Sequence, residues 1–390
     1  MRIIVLLLTV ISFYSCKQEV KQTVLSPEEK IKVLPYGDLI ATPTTYDTIS
    51  ELNSFTELNN LWLIGTQNGI YIMDKISKKV IRYFKFELKS HKELFDGQDS
   101  TVRFLTTDLI PNKTKDKLLV VTSNGIVFQI DLKKYNIDWL VKFVHRIETA
   151  TYSDNGKVIA IGTGYDNKEA SNGIPSEYYS SLFTISSDSS KYIDHFNETA
   201  SVKKILFKDN DTKLLVAYDW NYTDSYLWDI NNKEKNIAQF AEEDAYLYDI
   251  ALIDNKHFVT VNTNGLSLWD TETPDKKNLV FSKSNSGFEN ILRSKLTEDY
   301  FLVSYSKLFF FDKQFNIKDT IKLPILFEGS DYSANDSLII LKNLMNNNDP
   351  HASKKDDGKE GFYTFNLATK ELNFLVGKHE LNEIIKANWH

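Results

Sequence analysis

The chain is poor in the residues from which disulfide-stapled domains and metal sites are built. It holds one cysteine, Cys16, in 390 residues, which excludes an intramolecular disulfide and any site built on paired cysteines. The seven histidines lie at 91, 145, 195, 257, 351, 379 and 390, and no two stand at metal-ligand spacing. No metal and no cofactor are expected. Arginine occurs only at 2, 82, 103, 146 and 293, and Asp+Glu outnumber Lys+Arg by 53 to 46, for a net charge of −7. A nucleic-acid binder needs a basic face to displace phosphate counterions, so that class is set aside. The apolar run Ile3–Ile11, broken by Thr9, covers nine residues; at ~1.5 Å per residue it falls short of a ~30 Å hydrocarbon core. There is no His-Glu-x-x-His, no Gly-x-Ser-x-Gly, no Gly-rich phosphate loop and no Ser-x-Asp-x-Gly-x-x-Trp box. Ser304-Tyr305-Ser306-Lys307 matches Ser-x-x-Lys but falls in a predicted hairpin instead of at a helix start, so the match is read as chance. What is present, 42% hydrophobic and 13% aromatic residues, suffices for a folded core.

Arg2, the short apolar run and the small or polar residues after it have the layout of an export signal. Cys16 follows Phe13-Tyr14-Ser15 and precedes Lys17-Gln18-Glu19. This resembles a bacterial lipoprotein signal, with Phe13 and Tyr14 standing where that family has an aliphatic and a small residue. The resemblance implies removal of residues 1–15 and acylation of Cys16. It also implies a membrane partner through the N-terminal lipid and a place in the cell envelope, at the outer membrane, facing periplasm or surface. Loss of Arg2 takes the mature charge from −7 to −8. Residues 16–37 read as the lipidated cysteine and a polar tether, in which Ser26-Pro27-Glu28-Glu29 has the pattern of a short helix start. Scarce arginine beside abundant Lys, Ile, Asn, Tyr and Phe resembles the composition of Bacteroidota proteins.

From about residue 60 one unit recurs: apolar run, turn, apolar run, then Asp or a polar substitute. Leu61–Thr66, Asn68-Gly69 and Ile70–Asp74 form the first example; Leu118–Ser123, Asn124-Gly125 and Ile126–Asp131 form another; Phe258–Thr263, Asn264-Gly265 and Leu266–Asp270 form a third. Each reads as a hairpin in which Asn-Gly supplies the positive φ angles of a two-residue turn. The closing residues Asp74, Asp131, Ser186, Asp229, Asp270, Asp312 and Asn366 are 41 to 57 residues apart. Seven such units fit the four-stranded blades of a β-propeller.

Leu227-Trp228-Asp229 and Leu268-Trp269-Asp270 end two third strands with Trp-Asp, and Tyr152–Ala160 has the form of a turn between first and second strands. Here the chain resembles the WD40 family over about residues 45–377, without that family's Gly-His at the blade entrances. The resemblance implies an all-β, seven-bladed propeller over 38–377, a monomeric ring, and structural work for Asp74, Asp131, Trp228, Asp229, Trp269, Asp270 and Asp312. Residues 378–390 read as a helical tail with Leu381, Ile384 and Ile385 on one face to dock on the ring. The last outer strand is supplied either by residues 371–376 or by an N-terminal strand near 38–49.

Function in propellers sits in the loops of one face. The connections Gly162–Tyr179, Ala217–Ser225 and Asn343–Gly361 are long and project to the same face as the inter-blade links, Glu87–Ser100 among them. That face presents Tyr165, Tyr178, Tyr179, Trp220 and Tyr222 with Asp166, Asp219 and Asp224 as candidate partner-binding residues. The segment 346–357 is polar and lacks the ordered acid spacing of a calcium loop, so it reads as a solvated insertion. Asp-Thr-Ile at 47–49 and 319–321 and Asp-Ser-Leu at 336–338 resemble the O-glycosylation sequons of Bacteroidota. The leading expectation is a non-enzymatic, lipid-anchored binding or scaffold module for an envelope protein or surface glycan. One alternative is a propeller hydrolase or lyase acting on glycans, with loop carboxylates at the channel mouth. The other is an envelope sensory module, because Leu61–Asp74 also resembles the sensor-propeller repeat of bacterial two-component receptors.

Overall fold

The apolar runs and turns of the repeat fold as successive antiparallel hairpins. The computed structural model describes residues 31–33, 40–41, 46–86, 106–143, 146–164, 181–197, 201–219, 224–232, 236–242, 245–282, 288–294, 298–304, 306–324, 327, 329–332, 338–343 and 360–389. Seven sheets of four sequential strands, here blade 1 to blade 7, span 52–86, 106–143, 147–197, 201–240, 247–282, 288–322 and 329–377. The first strands of successive blades touch one another from blade 1 to blade 7, which puts them around the axis and the fourth strands on the rim. The chain is thus an all-β seven-bladed propeller, as the repeat predicts.

A four-stranded blade leaves two apolar faces, and neighbours must bury both. Seven apolar clusters do so, one in each gap, including the gap between blade 7 and blade 1. Alternation decides which gap a side chain enters: Ile339 and Leu341 face blade 6, while Ile340 between them faces blade 1.

The hairpin signals lie where expected, and Gly125 has the positive φ, 83°, that the turn rule implies; in the other two hairpins glycine acts one place later. Thr66 pairs with Gly69 and Asn262 with Gly265, so the turns proper are Gln67-Asn68 and Thr263-Asn264. None of these four turn residues has positive φ; Gly69 and Gly265 do, at 156° and 137°. A Cβ on Gly69 would lie 2.0 Å from the Phe84 carbonyl oxygen, and one on Gly265 would lie 1.9 Å from that of Phe281. Glycine is needed there for close approach of the fourth strand.

Blade 7 is completed by Leu372–Gly377, the first of the two closing options. No strand is shared across the last gap among the described residues. The N-terminal segment instead adds fifth strands elsewhere: Ile40–Ala41 pairs with the fourth strand of blade 1 and Ile31–Val33 with that of blade 2. Closure falls to packing and to the helix Lys378–Asn388. Leu381 and Ile385 are fully buried in the blade 7–blade 1 cluster with Phe55, Tyr71 and Phe362, and Ile384 packs against it. Each such burial is worth ~1.5–3 kcal/mol. Glu380 in the first turn and Lys386 in the last complement the helix dipole.

Candidate functional site

The face that carries the turns between third and fourth strands is shaped by the repeat's closing residues. The side-chain oxygens of Asp74, Asp131, Asp229, Asp270, Asp312 and Asn366 each accept backbone N–H groups two to four residues ahead, at 2.6–3.1 Å. Four residues past Asp74, Asp131, Ser186 and Asn366, the residues Lys78, Tyr135, Ser190 and Lys370 adopt φ of 50–60°. Hydrogen bonds from Ser77 hold Asp74 below the ordinary carboxylate range, and those from Asn316 do the same for Asp312. In Asp131 burial pulls the other way, but the Lys134 amide and the Lys117 ammonium prevail and its pKa is lowered. These carboxylates are turn caps, with partners inside their own loops.

The two Trp-Asp blades differ. Trp269 donates its indole N–H to Thr260 Oγ1 at 3.0 Å and to Glu242 Oε1 at 3.2 Å. Glu242 is wholly buried at the entrance to blade 5, where it accepts the Thr260 hydroxyl, accepts Asn262 Nδ2 at 2.8 Å and pairs with Lys277 at 2.6 Å. A buried carboxylate needs such a full set of partners. In blade 4 the register puts Val216 where blade 5 has Thr260, and the buried indole nitrogen of Trp228 has no hydrogen-bond partner. Nothing in the linear pattern singled out Glu242, which stands beside Glu243 and Asp244; its burial comes from partners 18 to 35 residues away.

Around the axis, first strands are bulged near their starts, as between Val202 and Lys204 and between Leu247 and Asp249. Asp249 is buried there and ties three blades together. It pairs with Lys204 of blade 4 at 2.6 Å, accepts its own strand's Ile250 N–H at 2.9 Å, and accepts the Ile291 N–H of blade 6 at 2.9 Å. Glu148 pairs with Arg146 at 2.9 Å, and Asp108 accepts the Leu109 N–H at 2.8 Å. Each of these inner carboxylates is engaged by the frame. Among the described residues no group of three or more His, Cys, Asp or Glu side chains is placed to hold a metal ion.

Of the candidate partner-binding residues, the structure places two. Asp219 ends the second strand of blade 4. The Asp224 carboxylate accepts the Gln239 side-chain amide and the Glu242 N–H, the latter at 3.3 Å, so it orders the passage from blade 4 to blade 5. Tyr165, Asp166, Tyr178, Tyr179, Trp220 and Tyr222 lie outside the described residues, as do Cys16, the tether's helix start at 26–29 and the segment 346–357. The described strands that flank these loops all end on one face. It carries the turns at Gln67-Asn68 and Thr263-Asn264 and the links between blades. Thr48 and Thr320 of the two Asp-Thr-Ile sequences are exposed.

Comparison with known proteins defines the class by its fold. No family model and no curated protein matches the sequence. Among solved structures, a chain from "Crystal Structure of Mitotic Checkpoint Complex" superposes with a TM-score of 0.55 at 12% identity, over 80% of this chain and 87% of that one. At that identity the similarity extends to the propeller fold alone.

Proposed function

We propose that the chain is a lipid-anchored binding module of the bacterial cell envelope, whose propeller presents loop aromatics to an envelope protein. The observation that carries the binding half is the engagement of the named carboxylates. Glu242, Asp249, Asp224 and the turn-capping aspartates are bound within the frame, which supports a reading in which the loop side chains Tyr165, Tyr178, Tyr179, Trp220 and Tyr222 make the contacts. Aromatic loop residues supply contact area at low entropic cost, and a rigid ring pre-organises them. The anchor half rests on the Arg2–Cys16 segment and its likeness to lipoprotein signals; two or three acyl chains at ~0.8 kcal/mol per buried CH₂ hold a protein at a membrane.

The test is purification from native membranes of the wild-type chain and of a Trp220→Ala/Tyr222→Ala variant. A protein that co-purifies with the first and is depleted at least tenfold with the second supports the reading. Equal recovery with both, or nothing above background with either, removes it.

A further inference from the structure

The rim of the ring is unevenly covered. Fourth strands of blades 1 and 2 each receive an extra antiparallel strand from the N-terminal segment, with Ile40 opposite Phe86 and Ile31 opposite Phe143. The fourth strand of blade 7 is touched by the C-terminal helix. That of blade 6, Ile317–Lys322, is exposed at every residue but Ile321, and Ile317 is 52% exposed. Among the described residues no strand pairs with its outer edge, nor with those of blades 3, 4, 5 and 7, so it is the side chains of blade 6 that set its edge apart. A bare edge is a row of unpaired N–H and C=O groups, and at blades 1 and 2 such edges take up short extended segments of the chain itself.

The side chains on that edge specify what would fit. Lys322 lies directly opposite Lys307 in the ladder, an arrangement that is repulsive on its own. Neither lysine makes an ion pair among the described residues. Lys307, Phe309 and Phe311 alternate onto the face toward blade 5, where Phe281 packs on Phe309 and Phe311 at 5.4 and 5.2 Å. Their ladder partners Lys322, Thr320 and Ile317 continue the same face outward to the rim. Asp319 lies opposite Phe310, on the other face, toward blade 7, and the Lys318 ammonium is already paired with Asp299 at 2.9 Å. The groove face of the edge therefore offers an apolar residue at one end and, at the other, two cations with no ion pair among the described residues, in a chain of net charge −7.

We propose that the outer edge of blade 6 is a docking site for an extended acidic segment of a partner protein. The segment adds as a fifth strand beside Ile317–Lys322, sets an apolar side chain against Ile317 and places a carboxylate between Lys307 and Lys322. This rests on the reading of the chain as a protein-binding module and gives that module a second contact, away from the loop face.

The experiment uses the full mature chain and two capped peptides, Thr-Glu-Thr-Thr-Thr-Val-Thr, whose Glu and Val fall on one strand face, and its lysine counterpart. Hydrogen exchange locates the contact and fluorescence anisotropy gives the affinity. The acidic peptide is expected to slow exchange across 317–322, and the lysine peptide to leave it unchanged. Lys322→Glu forms a new pair with Lys307 and so keeps the fold, yet it should weaken the acidic peptide at least tenfold; Ile317→Ser, which removes the apolar contact without adding charge, should also weaken it. Equal affinity for wild type and Lys322→Glu, or no protection of 317–322 at millimolar peptide, overturns the proposal. So does a polyanionic glycan that binds the two lysines without protecting the edge amides. Failure here is separable from failure of the module reading. A partner recovered equally with wild type and Lys322→Glu but lost with Trp220→Ala/Tyr222→Ala leaves the module and removes the edge site.

Discussion

The side-chain amide of Asn382 grips both backbone groups of Ile49: its Nδ2 donates to the Ile49 carbonyl at 2.9 Å and its Oδ1 accepts the Ile49 N–H at 2.8 Å. The two residues are 333 positions apart, one just before the first blade and the other in the helix after the last. Around them Trp389 meets Tyr46 and Tyr83 at 6.2 and 5.9 Å, and Leu381 and Ile385 fill the last inter-blade gap. With no strand shared across that gap among the described residues, this clasp ties the two ends of the ring together.

Asn382→Ala should cost ~1–3 kcal/mol, because it leaves a buried backbone donor and acceptor short of partners. Ile385→Ala should cost ~2–5 kcal/mol by opening a cavity in the closing cluster. Urea unfolding of each variant checks both. Midpoints equal to wild type would mean the ring closes without the helix.

The two signature tryptophans should respond differently to the same change. Trp269→Phe removes a donor from the buried Glu242 and should cost ~1–3 kcal/mol. Trp228→Phe loses the same ring volume but an indole N–H that has no partner, and should cost measurably less. Equal losses in thermal unfolding would contradict the difference between blades 4 and 5.

Three consecutive residues at the turn between the first two strands of blade 4, Asp209, Asn210 and Asp211, hold φ of 53°, 55° and 66°. Asp209 pairs with Lys208 and Lys213, and Asp211 accepts the Asp154 and Asn155 N–H groups of blade 3 at 2.7 and 2.9 Å. Asn210 carries the strain without such a role, so Asn210→Gly should stabilise the protein by about 1 kcal/mol. A lower melting temperature for this variant would show that Asn210 has a role of its own in the turn.

Acid should loosen the turn-bearing face first. Asp74, Asp131, Asp254 and Asp312 all have pKa values lowered in the fold. Their unfolded values are near ~3.9, so the unfolded chain binds more protons in acid. The stability they contribute is whole above about pH 5 and drains away as pH falls through 4 and below. Asp74→Asn and Asp312→Asn keep the acceptor oxygen, as Asn366 does naturally, and should flatten stability against pH over that window.

The ring itself was legible because its cause is local. Apolar alternation, turn residues and the recurring Asp set strand and spacing in every blade, and the helix that carries Leu381, Ile384 and Ile385 announced its apolar face. The Asn-Gly pairs marked the hairpins and gave the positive φ of Gly125, but they misassigned the strained position in the other two, since the need for Gly69 and Gly265 comes from a carbonyl on the fourth strand. The partners of Glu242, Asp249 and Asn382 were not legible for the same reason. Each meets groups brought close only when blades close on one another, and no linear spacing encodes that meeting. Asp224 reads in sequence as one loop acid among several and takes its frame-holding contacts from Gln239 and Glu242.

The claim that this propeller is held at a membrane is tested most directly by the intact mass of the mature protein from its native cell, alongside fractionation of a Cys16→Ser variant. The expected mature chain begins at Cys16, carries two or three acyl chains and leaves the membrane fraction when the cysteine is replaced. A mature chain that starts elsewhere without lipid, or a Cys16→Ser protein still retained with membranes, would contradict it.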